Sequence, residues 1–259
     1  MGQGSLAHKI YGGMRMVQAC SDWPKWFREY FSRVNDGHTE CYRMRGGARL
    51  HTRRNGSDIH MIDEIWGFRK YDYFGYRVQP GDVVVDVGGN IGTFTVYAAA
   101  VCRASRVLVF EPFPENFAML IRNVEENQLN MVTCVNEAIS KTRGKQRFRL
   151  DPVDPGSHSL AGEGDSGTMI EVQCCPFSDV FDRFGIDRID YLKMDCEGGE
   201  YDILDESNAP LLKKVKRISM EYHENHPSRT PKDLEMFLRK NGFEVREFGG
   251  HRMYARRLP

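Results

Sequence analysis

The chain has 259 residues, 41% of them hydrophobic, and its 36 basic and 36 acidic side chains give a formal net charge of zero. That length suits one α/β domain with additions, and the balanced charge provides no general attraction to nucleic acid or a membrane surface. No apolar run reaches the roughly 18 residues of a membrane span, and Met1 to Gly13 lacks the apolar centre of a secretory signal. Seven cysteines without a C-x-x-C pair read as reduced thiols, so a cytoplasmic location is expected.

In chain order, Met1 to Gly13 reads as a flexible arm. Ser21 and Asp22 precede a helix with Pro24 in its first turn. Trp23, Trp26, Phe27, Tyr30, Phe31 and Val34 recur there at helical spacing, an apolar stripe for packing, pocket cover or a dimer contact. Cys41 to Thr52 forms a hairpin turning at Gly46-Gly47, and Asp58 to Trp66 a second helix. Residues 1–70 thus make an N-terminal extension and residues 71–259 the main domain. Tyr71-Asp72-Tyr73-Phe74-Gly75-Tyr76 and the turn Pro80-Gly81-Asp82 lead into that domain.

Strands and helices then alternate. Val83 to Val87, Arg106 to Phe110, Met131 to Val135, Ile189 to Met194 and Arg217 to Met220 read as parallel strands. The continuous apolar run Val83-Val84-Val85 suits a strand buried on both faces. Helices follow at Thr93 to Ala100, Pro114 to Asn127, Phe177 to Phe184, Tyr201 onward and Lys232 to Asn241. Lys145 to Leu150 and Met169 to Cys175 add strands. Asp151 to Thr168 is a long loop in which His158 serves as a lid residue or is simply solvated. Phe243 to Phe248 and Arg252 to Arg256 pair as a closing hairpin. The fold class is α/β: Rossmann-like, doubly wound, with a mostly parallel seven-stranded sheet and one antiparallel strand from the hairpin.

In such sheets ligands bind beyond the carboxyl ends of the strands. The first strand ends in Asp86-x-Gly88-x-Asn90-x-Gly92. Dinucleotide enzymes use G-x-G-x-x-G instead. A carboxylate before the first glycine repels a pyrophosphate but suits the ammonium of S-adenosylmethionine, and an NAD-linked oxidoreductase becomes the weaker reading. Glu111 ends the second strand nineteen residues after Gly92, placed to accept both hydroxyls of an adenosine ribose. Asn116 would support the ribose or adenine side. Asn136, Glu137 and Ala138, ending the third strand, would face the adenine edge. Asp195 and Glu197 end the fourth strand, and Glu221 and His223 the fifth. Lys193, inside an apolar strand, needs a partner if buried, and Asp195 is available.

The tracts "VVVDVGGNIGTFT", "VLVFEPFPENFAMLIRNVEEN", "NEAIS", "GSHSL", "IDYLKMDCEGGEYDIL" and "ISMEYHE" follow in that order. Together they resemble the FkbM family of S-adenosylmethionine-dependent methyltransferases, from about residue 56 to the C-terminus. The resemblance implies Asp86, Gly88, Asn90, Gly92 and Glu111 as cofactor residues. It also implies O-methylation of a sugar or secondary metabolite, with N-methylation of a peptide or protein amide as the alternative and S-adenosylhomocysteine as the product. Asp195 is expected nearest the transferred methyl. An alcohol acceptor benefits from a general base, and Glu197, His223 and Asp195 are candidates in no fixed order. His223 and His226 with neighbouring carboxylates are potential metal donors, yet the expectation is no metal. Expected partners are a small-molecule acceptor and no nucleic acid, with a homo-oligomer left open.

Overall fold

The computed structural model describes residues 6–32, 36–54, 57–73, 75–149, 159–160, 168–224, 226–249 and 251–259. Val34 and nearly all of the long loop, His158 included, lie outside the described residues. The chain opens with helices α1 (Leu6–Ala19) and α2 (Trp23–Tyr30), the hairpin β1 (Thr39–Arg43) and β2 (Arg49–Arg53), and helix α3 (Asp58–Ile62), which widens into a π turn. β3 (Val83–Val87), α4 (Thr93–Val96), β4 (Arg106–Phe110), α5 (Pro114–Glu126) and β5 (Val132–Val135) follow. Next come β6 (Ala138–Ile139), β7 (Gly144–Arg149), β8 (Ser159–Leu160), β9 (Met169–Cys175), α6 (Asp179–Asp182), β10 (Ile189–Met194), α7 (Glu200–Ile203) and α8 (Ala209–Leu212). The chain closes with β11 (Val215–Glu221), α9 (Pro231–Lys240), β12 (Phe243–Phe248) and β13 (Arg252–Arg257).

The main sheet has the order β5-β4-β3-β10-β11-β13-β12, with β13 antiparallel to its neighbours and the strands from β5 to β11 parallel. This is the expected seven-stranded, doubly wound sheet. The strand order reverses between β3 and β10, so the topological switch point falls beside the glycine turn. Alternate residues feed two cores, as the pleat requires. Val85, Leu108, Phe110 and Leu192 pack with α9, whereas Val84, Val107 and Val109 pack with α5 and the N-terminal elements. A second sheet, β6-β9-β7-β8, carries the added strands.

Several local expectations needed correction. The start is helical from Leu6 rather than a flexible arm. Its glycine serves close packing, since a Cβ at Gly12 would lie 2.8 Å from the Phe68 ring. Asp22 does not cap α2 with its side chain; its carboxylate clamps the Arg43 guanidinium at 2.7 Å. Of the apolar stripe on α2, Trp26 is buried, whereas Trp23, Phe27 and Phe31 are exposed. The helix after the glycine turn keeps α geometry only to Val96, then widens into a π turn over Tyr97–Val101. The helix expected at Phe177 to Phe184 is a single turn, α6.

The extension and the main domain share one core, and polar ties fix their register. Asn123 on α5 is fully buried, accepts the His51 N–H at 2.6 Å and donates to the His51 and Ile91 carbonyls at 3.0 and 2.7 Å. One amide thus joins the N-terminal hairpin to the glycine turn.

Candidate active site

The turn leaving β3 is built for close approach. Gly88 has φ +82, and a Cβ there would stand 1.8 Å from the Asp195 carbonyl oxygen. Only glycine lets the tips of β3 and β10 touch in this way. Asn90 adopts φ +48, a conformation Asn tolerates by bonding locally; its Oδ1 accepts the Ile91 N–H at 2.8 Å. Its own N–H donates to Glu111 Oε2 at 2.7 Å.

Glu111 sits at the tip of β4, 3% exposed, and also accepts the Phe113 N–H at 3.0 Å. Burial pushes its carboxyl up to about 7, against the pull of those two amides. A carboxylate offers about four lone-pair sites. The two amides use one on each oxygen, which leaves one on each for the paired hydroxyls of a ribose. The donor set therefore fits an adenosine ligand.

Asp86 occupies a different place from the one expected. It is fully buried beneath the turn, where Thr95 Oγ1 donates to it at 2.6 Å and Lys193 Nζ lies 3.1 Å away. Lys193 was expected to partner Asp195, but the β10–β3 register sets Lys193 opposite Asp86 and so on one face. The same ammonium donates to the Gly88 carbonyl at 2.6 Å. Asp86 thus acts through Lys193 on the turn, and its carboxylate is not open to a ligand's ammonium.

The remaining cofactor candidates have protein partners. Asn116 is buried on α5 and accepts from Arg53 Nη2 at 2.8 Å, and Arg53 also clamps Asp58. Glu137 takes Arg183 Nη1 on both oxygens, at 2.9 and 2.7 Å. Ala138 is buried in β6, and Asn136 Nδ2 donates to the Glu111 and Pro112 carbonyls.

The catalytic candidates do converge. Asp195, Glu197 and His223 bring ligating atoms within 4.8 Å of one another at the tips of β10 and β11. Their organiser is Glu200, which sequence reasoning passed over although it closes the tract from Leu192. It is fully buried and accepts the Cys196 and Gly198 N–H groups at 3.0 and 2.9 Å. His223 Nδ1 lies 3.1 Å from Glu200, and its Nε2 lies 3.3 Å from Glu197. Burial opposes a charged imidazole, yet the hydrogen bonds to Glu197 and Glu200 push His223 up to about 11. With a carboxylate beside each ring nitrogen the charged imidazole is favoured. A protonated ring has no lone pair with which to accept a proton.

The two carboxylates then diverge. Burial alone would raise Asp195, but Lys193, Lys70, His223 and the Tyr71 hydroxyl, which donates at 2.7 Å, hold it below the usual carboxylate range. Glu197 is raised by burial despite His223. Its backbone sits at φ +53, the left-handed region costly for a non-glycine residue, and its side chain remains 22% exposed. His226 stands apart: its Nδ1 accepts the Arg229 N–H at 3.0 Å and its ring lies on Tyr201. Tyr71 is the other residue missed; its only signal was its place in the aromatic tract before β3.

The description "Methyltransferase FkbM domain" belongs to the family model that matches residues 86–245. The chain belongs to the FkbM methyltransferase family. It is therefore an S-adenosylmethionine-dependent methyltransferase. Among characterised relatives it is 27% identical over 237 residues to the 31-O-demethyl-FK506 methyltransferase FkbM of Streptomyces tacrolimicus, covering 80% of this chain and 89% of that one. It is 26% identical to methyltransferase sdnD of Sordaria araneosa, covering 70% and 80%. A crystal structure of an FkbM methyltransferase from Methylobacillus flagellatus is similar at 15% identity, covering 95% of this chain and 60% of that one, with a TM-score of 0.48. No helix of the described residues is long and apolar enough to cross a membrane.

Proposed function

We propose that this methyltransferase acts on a hydroxyl of a sugar or secondary metabolite, with Glu197 as the general base. S-adenosylmethionine supplies the electrophilic methyl of its sulfonium. The glycine turn from Gly88 to Gly92 and the Glu111 carboxylate would hold it. The observation that carries the reading is the split between two neighbouring carboxylates. Asp195, low and surrounded by cations, stays ionised and positions. Glu197, raised and partly open, takes the acceptor proton. The His223 imidazolium fixes Glu197 in place through its Nε2–H. Holding the acceptor oxygen in line supplies much of the rate, and a base adds roughly 10²–10⁴-fold. The Streptomyces relative is named as the methyltransferase of an O-demethyl acceptor, which supports an oxygen target for this chain too. The seven free thiols support a reducing compartment.

The test uses S-adenosylmethionine labelled at the methyl group with a panel of hydroxyl and amide acceptors. Transfer to a hydroxyl should appear, and Glu197→Gln should cut kcat by about 10²–10⁴-fold while leaving S-adenosylhomocysteine affinity within about twofold. Full turnover in Glu197→Gln would refute the base. Transfer only to amides would refute the oxygen target.

A further inference from the structure

We propose that the methyl acceptor carries an anionic group on a ring-shaped body, seated in a cavity between the N-terminal extension and the C-terminal hairpin. The proposal rests on the methyl-transfer reading above and names the class of its acceptor.

The cavity is an open cleft of about 380 Å³, and no residue of the glycine turn lines it. Four of its lining side chains are guanidinium cations, Arg15, Arg69, Arg77 and Arg252, against one lining carboxylate, Asp72; Lys70 also lines it but is paired with Glu64 and Glu221. In a chain whose formal charge is zero, such a concentration is a local feature. Arg15 Nε donates to the Gly67 carbonyl at 3.0 Å, and Arg252 donates from Nε and Nη2 to the Gly249 carbonyl at 3.3 and 3.1 Å. Carbonyls orient a guanidinium without neutralising it. Each guanidinium has five N–H donors, so further donors remain for an anion. The Arg69–Asp72 contact is loose, at 3.7 Å.

Part of the lining is aromatic: Phe68, Tyr73, Phe248 and Tyr254. Tyr73 lies 4.2 Å from Phe248 and 5.4 Å from Tyr254, centroid to centroid. Ring faces of this kind pack a sugar's C–H face or an aryl ring. A volume of this size admits one such ring with its substituent.

The cavity also points the right way. Lys70 lines it, and its ammonium pairs with Glu221 at the tip of β11. Arg252 stands opposite Glu221 in the β11–β13 register. The residue after Lys70 is Tyr71, whose hydroxyl holds Asp195. The cavity therefore flanks the transfer site on the side of β11, while the cofactor turn lies on the side of β3. Its cations attract an acidic acceptor and hold its far end.

Phenyl phosphate, which joins a ring to a dianion, is the probe, and phenyl β-D-glucopyranoside the uncharged control. Both are titrated calorimetrically into the enzyme saturated with S-adenosylhomocysteine. Phenyl phosphate should bind, at least tenfold more tightly than the glucoside. Its affinity should fall at least tenfold in Arg252→Glu and in Arg77→Glu, and also in 0.5 M salt (the Debye length is then only about 4 Å). S-adenosylhomocysteine affinity and melting temperature should stay unchanged in both variants, and Arg252→Lys should recover part of the binding. The proposal is overturned if the saturated enzyme does not bind phenyl phosphate, or if both charge-reversal variants bind it like the wild type. Failure of the wild type to bind S-adenosylhomocysteine would instead sink the methyltransferase reading itself.

Discussion

At the scale of single residues, two carboxylates, Glu111 and Glu200, carry different duties, and burial with neighbours decides which. Glu111 is pushed up to about 7 by burial and is asked to accept hydroxyls, which favour its ionised form. Cofactor binding must therefore strip its proton below that value. S-adenosylhomocysteine affinity should be about tenfold weaker at pH 6 than at pH 8, and Glu111→Gln should abolish that slope and weaken binding about 10- to 100-fold. Calorimetry across pH measures both. Glu200 is fully buried and holds two loop amides and His223. Glu200→Gln should cost about 2 kcal/mol of stability and lower the His223 pKa, visible as an imidazole resonance titrating nearer neutrality. An imidazole that stays charged to pH 10 in that variant would contradict the assigned cause.

At the scale of elements, the decisive contacts are between strand tips and not within any one element. The Lys193–Asp86 pair lies wholly inside, with side chains 4% and 0% exposed. Lys193→Met leaves Asp86 charged and buried, so it should destabilise by about 3–5 kcal/mol. Lys193→Met with Asp86→Leu should recover most of that stability in thermal melts, but not the cofactor affinity, because the Gly88 carbonyl still lacks its donor. Much of this architecture was legible from residues alone. The valine run marked β3 and the spacing to Glu111 marked β4, because buried parallel strands leave a continuous apolar signal. The partner of Lys193 was not legible, because a one-chain pattern gives the face of a residue but not its neighbour's register. Gly12 misled for a related reason: glycine lowers helix propensity, but here it lets a helix approach Phe68. Glu197, His223 and Asp195 could be gathered from strand ends. The clamp on His223 could not, since it depends on Glu197 and Glu200 facing its two ring nitrogens.

At the scale of the whole molecule, the extension belongs to the fold. Met16, Tyr42, Leu50 and Trp66 sit in one core with Val84 and Val107. Residues 71–259 expressed alone should therefore aggregate or melt without cooperativity. A sharp unfolding transition in that fragment would show the main domain to be self-sufficient. The intact enzyme should also keep its turnover in EDTA; a loss restored by a divalent ion would place a metal among Asp195, Glu197 and His223.

The absence of room for one methyl group between Gly88 and Asp195 has a thermodynamic consequence. The cofactor turn and the acceptor-side loop are in contact without slack, so neither shifts alone. Occupancy of one half then alters the free energy of filling the other, and the effect must be equal in both directions. Whatever factor S-adenosylhomocysteine adds to the affinity of phenyl phosphate, phenyl phosphate should add to that of S-adenosylhomocysteine. The two titrations, run in opposite order, close a thermodynamic cycle whose coupling factor should differ from one.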